Sequence, residues 1–424
     1  MVEKLERQRL IANYNRIPKT ISKNLPKRVY IWDETLRDGE QTPGVFLTVN
    51  EKIEIAKLMD EVGIAIITVG YPAASKMEKN AVKAIAREKL SASLAAPARP
   101  VKSDIDACIE ADAEEVPIFI GTSDLNLRYV IRMSRKQVKE RVSDSIQYAK
   151  KHGVVVDFIA MDASRTDLRY LLDICKVAVD AGADKICFAD TVGFIRPSSM
   201  RYAISRIREA IWKVKKVPLS AHCHNDFGLA TANTLAAVEE GVVYPHTGVN
   251  GYGERSGNAS LEETVMALEV LYGVDTGVKT DRLYELAMLT EKYFAVPIAA
   301  HKALVGTNSF SHEAGIHVHG QMMHPLAFEP IPPESVGRHR QFFLGKFTGT
   351  HIVESKLKER NIKVSDAQVA EIVKRVKELH ETRGKEKVRK DFERVKIKIQ
   401  EMRSGVRDDE FWKIVEKVAG KRGL

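Results

Sequence analysis

The chain is short of cysteine: its 424 residues carry four, Cys108, Cys175, Cys187 and Cys223, with no C-x-x-C pair among them. That excludes a short disulfide framework and points to a reducing, cytoplasmic compartment. No run approaches the ~20 uncharged apolar residues of a membrane helix. The first 28 residues are basic but lack an apolar core and a small-residue cleavage site, so no secretory signal is expected there. A lysine/arginine run with interleaved aromatics is also missing. The 66 basic residues are instead interleaved with 57 acidic ones, leaving a net charge of +9. Charge spread in this way suits a solvated surface or small polyanionic ligands; neither nucleic acid nor a membrane is expected as a partner.

What is present is globular: 44% apolar and 29% charged residues, in a chain long enough for two or three units. From residue 28 to about 273, short runs rich in Val, Ile and Ala alternate with stretches of helical period. The runs 29–36, 64–70, 91–96, 115–121, 154–161, 184–189, 218–223 and 243–249 are the expected strands. Helices are expected over 50–61, 102–111, 135–152, 168–181, 198–215, 229–240 and 261–272. Eight such units match a (β/α)8 TIM barrel. A doubly wound open sheet is the runner-up, disfavoured by the unit count and by the lack of a glycine-rich phosphate fingerprint. The expected division is an N-terminal extension (1–27), the barrel (28–300), a connector subdomain rich in Gly, His and Pro (301–352) and a charged helical C-terminal subdomain (353–424).

Polar residues gather at the ends of the expected strands. Asp33, Arg37 and Asp38 end the first, Thr68 lies in the second, and Asp162 and Arg165 follow the fifth. Asp190 and Thr191 follow the sixth, His222 and His224 end the seventh, and residues 250–258 follow the eighth. C-terminal strand ends converge on one rim of a barrel, the usual active-site face. Side chains at i and i+2 of a strand point the same way, so both imidazoles of His222-Cys223-His224 share a face. With the Asp38 carboxylate on the same rim, they form a divalent-metal donor set with open positions. A hydrogen-bonded structural pair of histidines is the alternative.

These residues also fall in recognisable motifs. Asp33-Glu-Thr-Leu-Arg-Asp-Gly-Glu-Gln41, His222-Cys-His-Asn-Asp226 and Gly251-Tyr-Gly-Glu-Arg-Ser-Gly-Asn258 resemble, in order, three signatures of the metallolyase-type barrels that include 2-isopropylmalate, homocitrate, citramalate and Re-citrate synthases. Gly70-Tyr-Pro-Ala-Ala-Ser75, Thr122-Ser-Asp-Leu125, Ala189-Asp-Thr-Val-Gly193, Gly315-Ile-His317, Pro333-Glu-Ser-Val-Gly337 and Leu344-Gly-Lys-Phe-Thr-Gly349 extend the similarity over about residues 28–400.

The resemblance implies that the methyl carbon of acetyl-CoA adds to the ketone of a 2-oxo acid, with thioester hydrolysis following. It implies a divalent metal (Mg, Mn, Zn or Co) on Asp38, His222 and His224, with Asn258 as a further oxygen ligand or as a partner behind the ligands. Arg37 would stabilise the forming alkoxide, Glu254 would orient, and Gln41 and Thr191 would bind substrate. Arg99, Arg128 and Arg132 are candidates for a distal carboxylate, or surface residues. The acyl methyl needs a placed base; His317 resembles the family's catalytic histidine, which arrives from the neighbouring subunit and implies a domain-swapped homodimer. His312, His319 and His324 are expected to cap or pack.

Four positions depart from the family pattern: Thr68 and Met161 stand where glutamates are usual, His319 for an aspartate, and Phe328 for a tyrosine. Either the proton route runs through the extra histidines, with Asp162 a candidate substitute for Met161, or the substrate is unusual. Re-citrate synthesis, a hydroxyacyl-CoA lyase or aldolase, and a catalytically altered paralogue are the alternatives. Residues 353–424 are too helical to be a leucine-sensing domain, so leucine feedback is not expected.

Overall fold

The computed structural model describes residues 10–402 and 405–420; the first nine residues of the expected N-terminal extension, and 403–404 and 421–424 of the helical tail, lie outside them. Eight parallel strands form one sheet: β1 (Trp32–Asp33), β2 (Ile66–Thr68), β3 (Ser93–Ala95), β4 (Ile118–Gly121), β5 (Asp157–Met161), β6 (Lys185–Asp190), β7 (Leu219–Cys223) and β8 (Val242–Thr247). Their order is β3-β2-β1-β8-β7-β6-β5-β4. Parallel bridges Ala95–Glu115 and Ala98–Ile118 link the chain at β3 to the chain at β4, so the sheet curls into a TIM-barrel-like fold. The expected barrel is thus observed.

Alternate strand residues fill the barrel's interior. Trp32, Ile66 and Ala95 form one buried cluster, and Ile159, Cys187 and Ala189 another, with Phe119 and Met161 packed against the second. The outer helices are α1 (Val49–Val62), α2 (Lys76–Ala86), α3 (Lys102–Ile109), α4 (Arg135–Lys151), α5 (Leu168–Asp180), α6 (Pro197–Ile211), α7 (Ala230–Glu239) and α8 (Leu261–Ala267). Capping boxes start two of them, Thr48 with Glu51 and Ser134 with Gln137, satisfying the first free N–H groups. Helix α2 was not among the expected helices. Its buried residues are only Ala81, Val82 and Ile85, set among lysines, and Ser75 caps it by accepting from Glu78 N.

By contacts the chain divides into two compact units. One holds the described residues up to Thr42, Phe46–Thr280 and Leu286–Ala295; the other holds Pro43–Val45, Asp281–Glu285 and the described residues from Val296 onward. Over 274–300, a stretch whose sequence also reads as helical, α9 spans Leu283–Phe294. The expected connector contains α10 (Gly315–Met323) and a two-stranded parallel pair, β9 (Ser311–His312) with β10 (Gln341–Phe342). Then follow α11 (Thr350–Glu359), α12 (Asp366–Thr382), α13 (Lys385–Met402) and α14 (Asp408–Ala419). The residue 352/353 boundary falls inside α11, and Val318 of α10 shares a small core with Ile352, Val353 and Val369. No described helix is long and apolar enough to cross a membrane.

Candidate metal centre and catalytic site

His222 and His224 project from the end of β7 on one face, as the period of two requires, while Cys223 is buried on the other. Their Nε2 atoms stand 3.1 Å apart. Asp38, where the chain turns out of β1, places Oδ2 3.6 Å from His222 Nε2 and 3.7 Å from His224 Nε2. Asn258 reaches the same carboxylate: its Nδ2 donates to Asp38 Oδ2 at 2.7 Å and to Tyr252 O at 3.1 Å. An antiparallel bridge between His224 and Asn258 ties the loop after β8 to β7. All four residues are buried. Asn258 Oδ1 and His224 Nδ1 are buried without a hydrogen-bond partner.

Burial sets the protonation states. It pushes His222 down to about 3, aided by the adjacent His224, and it lowers His224 as well. Both imidazoles are therefore neutral at neutral pH, with lone pairs to offer. Burial works against the Asp38 carboxylate, but Arg37 and the two histidines hold it below the usual range. Two neutral imidazoles and an ionised carboxylate, all buried, make a candidate set of metal donors.

Arg37 lies beside this set. Its Nη1 is 3.3 Å from Asp38 Oδ1 and 3.5 Å from the exposed Gln41 Oε1, and its Nε is 3.4 Å from Glu34 Oε2. Burial opposes its charge, yet Glu34 and Asp38 outweigh burial and raise its pKa. At the end of β6, Thr191 Oγ1 accepts from Asp162 N at 2.8 Å, and Thr191 O accepts from Arg255 Nη2 at 2.8 Å. Glu254 is half-buried in the 251–258 loop, where its carbonyl accepts from Gly257 N at 3.0 Å.

Other expected residues have partners of their own. Arg99 has a 59% exposed side chain clamped to the buried Asp104, Nε to Oδ2 at 2.7 Å and Nη2 to Oδ1 at 3.0 Å. Arg128 lies over the Tyr129 ring at 5.2 Å. His317 belongs to the second unit, exposed on α10, with its ring 4.4 Å from Phe328. Its neighbours are occupied: His312 Nε2 is 3.0 Å from Glu329, His319 stacks on His351 at 4.2 Å, and His324 Nδ1 accepts from Leu326 N at 3.1 Å.

Asp162, the candidate substitute for the strand-5 carboxylate, is held by its neighbours. The residue takes a left-handed φ of 60°, and its carboxylate accepts from Asn126 Nδ2 at 3.0 Å and from Arg165 Nε and Nη2 at 2.7 and 2.9 Å. Met161 packs in the apolar cluster of β5 and β6. Two functional-looking residues escaped the sequence reading. Glu34 accepts from Thr68 Oγ1 at 3.0 Å, and His246 Nδ1 lies 3.2 Å from Glu34 Oε1. The period of two along β1 and β8, Trp32/Glu34 and Tyr244/His246, was the signal that could have placed both in the barrel.

Comparison with known proteins places the chain in a family. The chain is 49% identical over 376 residues to the 2-isopropylmalate synthase of Methanocaldococcus jannaschii, covering 88% of this chain and 72% of that one. It is 45% identical to the homocitrate synthase of Methanopyrus kandleri (85% and 90% covered) and 44% identical to the (R)-citramalate synthase of M. jannaschii (82% and 70%). Among solved structures, hydroxymethylglutaryl-CoA lyase from Pseudomonas aeruginosa shares the fold at TM-score 0.58 and 23% identity, covering 65% of this chain and 96% of that one. Residues 304–384 match the homocitrate synthase post-HMGL domain-like model. With residues 28–290 matching the HMGL-like model, the chain belongs to the HMGL-like family.

Proposed function

We propose that this chain joins the methyl carbon of acetyl-CoA to the ketone carbon of a 2-oxo acid and then hydrolyses the thioester, releasing CoA and a 2-hydroxy di- or tricarboxylate. The observation that carries this reading is the buried Asp38–His222–His224 cluster at the barrel rim with the Arg37 guanidinium beside it. The synthase names of the relatives support it, and the post-HMGL match favours a synthase over a lyase.

The residues fit a divalent cation, since neutral imidazoles and an ionised carboxylate converge and the Asn258 amide, its Oδ1 buried without a partner, reaches the same carboxylate. Asp38, His222, His224 and Asn258 would hold Mg, Mn, Zn or Co, since oxygen and imidazole donors accept several divalent metals. Bound there, the ion would supply Lewis-acid polarisation and a template for the 2-oxo acid. Arg37, kept charged by Glu34 and Asp38, donates to the oxygen on which negative charge develops. Thr191 Oγ1 already accepts from a backbone N–H, so its own proton can go to a substrate carboxylate. Gln41, which touches Arg37, adds a polar contact to the substrate, and Glu254 orients the 251–258 loop. Arg99, held by Asp104, takes a distal carboxylate. His317 removes the methyl proton, supplied across a domain-swapped homodimer in the cytoplasm.

The test is free-thiol release from acetyl-CoA by the purified protein with Mg²⁺ or Mn²⁺ and a panel of 2-oxo acids. Thiol is expected with at least one acid and none after chelation. Release no faster than the no-acceptor control, across the panel and with every metal, would overturn the reading.

A further inference from the structure

Glu34 is a buried carboxylate, 2% exposed, to which the proposed chemistry gives no part beyond its charge beside Arg37. Its surroundings fix it closely. Its backbone N–H donates to Thr247 O at 2.8 Å, pinning the end of β1 to β8. On the side-chain side, Trp32 Nε1 donates to Thr68 Oγ1 at 2.8 Å, which leaves the Thr68 hydroxyl proton for Glu34 Oε1 at 3.0 Å. The same Oε1 lies 3.2 Å from His246 Nδ1, and the His246 ring is itself stacked on Trp32 at 4.5 Å. Two side chains therefore meet one oxygen, and Trp32 holds both of them in place. The other oxygen, Oε2, has no hydrogen-bond partner and lies 3.4 Å from Arg37 Nε.

We infer that Glu34 is a positioning residue for Arg37: anchored through Oε1 by Thr68 and His246, it uses Oε2 to fix the Nε edge of the guanidinium. Asp38 and Gln41 hold Nη1, so Nη2 is the nitrogen left for a reacting oxygen. Thr68, which carries no charge, acts here through Glu34, and so the first strand supplies the carboxylate that the second lacks. The pKa of Glu34 fits this role: burial works to raise it, but Arg37 and His246 bring it down to about 2, so the group stays ionised. A guanidinium gripped on two edges loses little freedom when charge develops beside it.

This inference rests on the condensation reading for its kinetic readout, so a second readout is independent of it. Glu34→Gln keeps the shape and removes the charge. The expected result is a kcat loss of about 10- to 100-fold, with both KM values within about threefold, an unchanged metal content and an unchanged thermal midpoint. Crystals of Glu34→Gln should show the Arg37 guanidinium displaced by about 1 Å, with Asp38, His222 and His224 in place. Should Glu34→Gln fold poorly, Thr68→Val removes only the hydroxyl and is expected to move kcat the same way by a smaller factor. A kcat within twofold of wild type in both variants, or an Arg37 side chain that stays put, overturns the assignment. So does a rate loss that tracks lost metal or lost stability. Wild-type inactivity on all 2-oxo acids would sink the condensation reading instead, and the position of Arg37 in the variant crystals would then decide this one.

Discussion

At the scale of single residues, the metal donors give the sharpest expectations. His222 and His224 face each other at 3.1 Å across Asp38, so neither can be replaced by a neighbour. His222→Ala or His224→Ala should weaken Mn²⁺ binding at least tenfold by calorimetry with the fold intact; full metal content in both would remove the assignment. Arg37→Ala should keep the metal yet lose about 10²- to 10³-fold in kcat, the cost of one electrostatic donor of about 3–4 kcal/mol. A third expectation concerns pH. Burial pushes Asp33 up to about 7 from its ordinary 3.8, because Oδ2 has no partner while Oδ1 accepts from Thr35 N at 2.8 Å. The folded state therefore binds this proton more tightly than the unfolded state. The stability it contributes is complete below about pH 4 and falls, by at most about 1.4 kcal/mol per pH unit, until about pH 7. Asp33→Asn should escape that loss, so its thermal midpoint should gain on wild type between pH 5 and pH 8. A constant difference across that range would mean the carboxyl stays ionised throughout. The H-x-H pair and Asp38 were legible in the sequence because alternation fixes their face. Glu34 was not, since its value comes from Thr68, His246 and Arg37, contributed by β2, β8 and the turn after β1.

At the scale of elements, all eight strands were readable because short apolar runs alternate with stretches of helical period, even where β3 and β7 hold no β-branched residue. Strand ends were less so: the expected 29–36 run is paired only as Trp32–Asp33, with the chain beyond it turning to carry Arg37 and Asp38. Helix α2 was missed because an eleven-residue helix with three buried side chains gives a weak periodic signal. The loop after β8 shows what sequence cannot state about backbone. Gly257 has φ +86° and a Cβ there would stand 2.0 Å from Gly251 O, so only glycine allows residues 251–258 to fold back and deliver Asn258 to Asp38. Gly257→Ala should cost about 1–2 kcal/mol or more for the left-handed conformation alone, read by thermal unfolding. The backbone clash should also displace Asn258 and weaken Mn²⁺ binding. Wild-type affinity in a destabilised Gly257→Ala would show that Asn258 is not needed at the metal.

At the scale of the whole molecule, the candidate chemistry is divided between two compact units, with the metal donors and Arg37 in one and His317 in the other. The first unit has Met161 and Thr68 where a carboxylate could have taken a proton, and methionine cannot. His317 is exposed beside Phe328, while His312 and His319 are engaged with Glu329 and His351. The second unit also leaves Val388, Phe392 and Val395 exposed along α13, one face at helical spacing, as well as Phe411, Trp412 and Ile414 on α14. Apolar stripes of this kind suit burial against a second copy of the chain. If two copies exchange these segments, His317 of one copy serves the metal site of the other, and activity becomes a property of the pair. Mixing makes this testable. His317→Ala and Arg37→Ala should each be inactive alone, since each homodimer lacks one component at both sites. Co-expressed with different tags and purified through both, the heterodimer should regain activity, because one of its sites draws an intact Arg37 and an intact His317 from opposite chains. The other site carries both lesions, so recovery should stay below about half of the wild-type rate. A doubly purified heterodimer that remains inactive would place His317 in service of its own barrel, or outside the chemistry altogether.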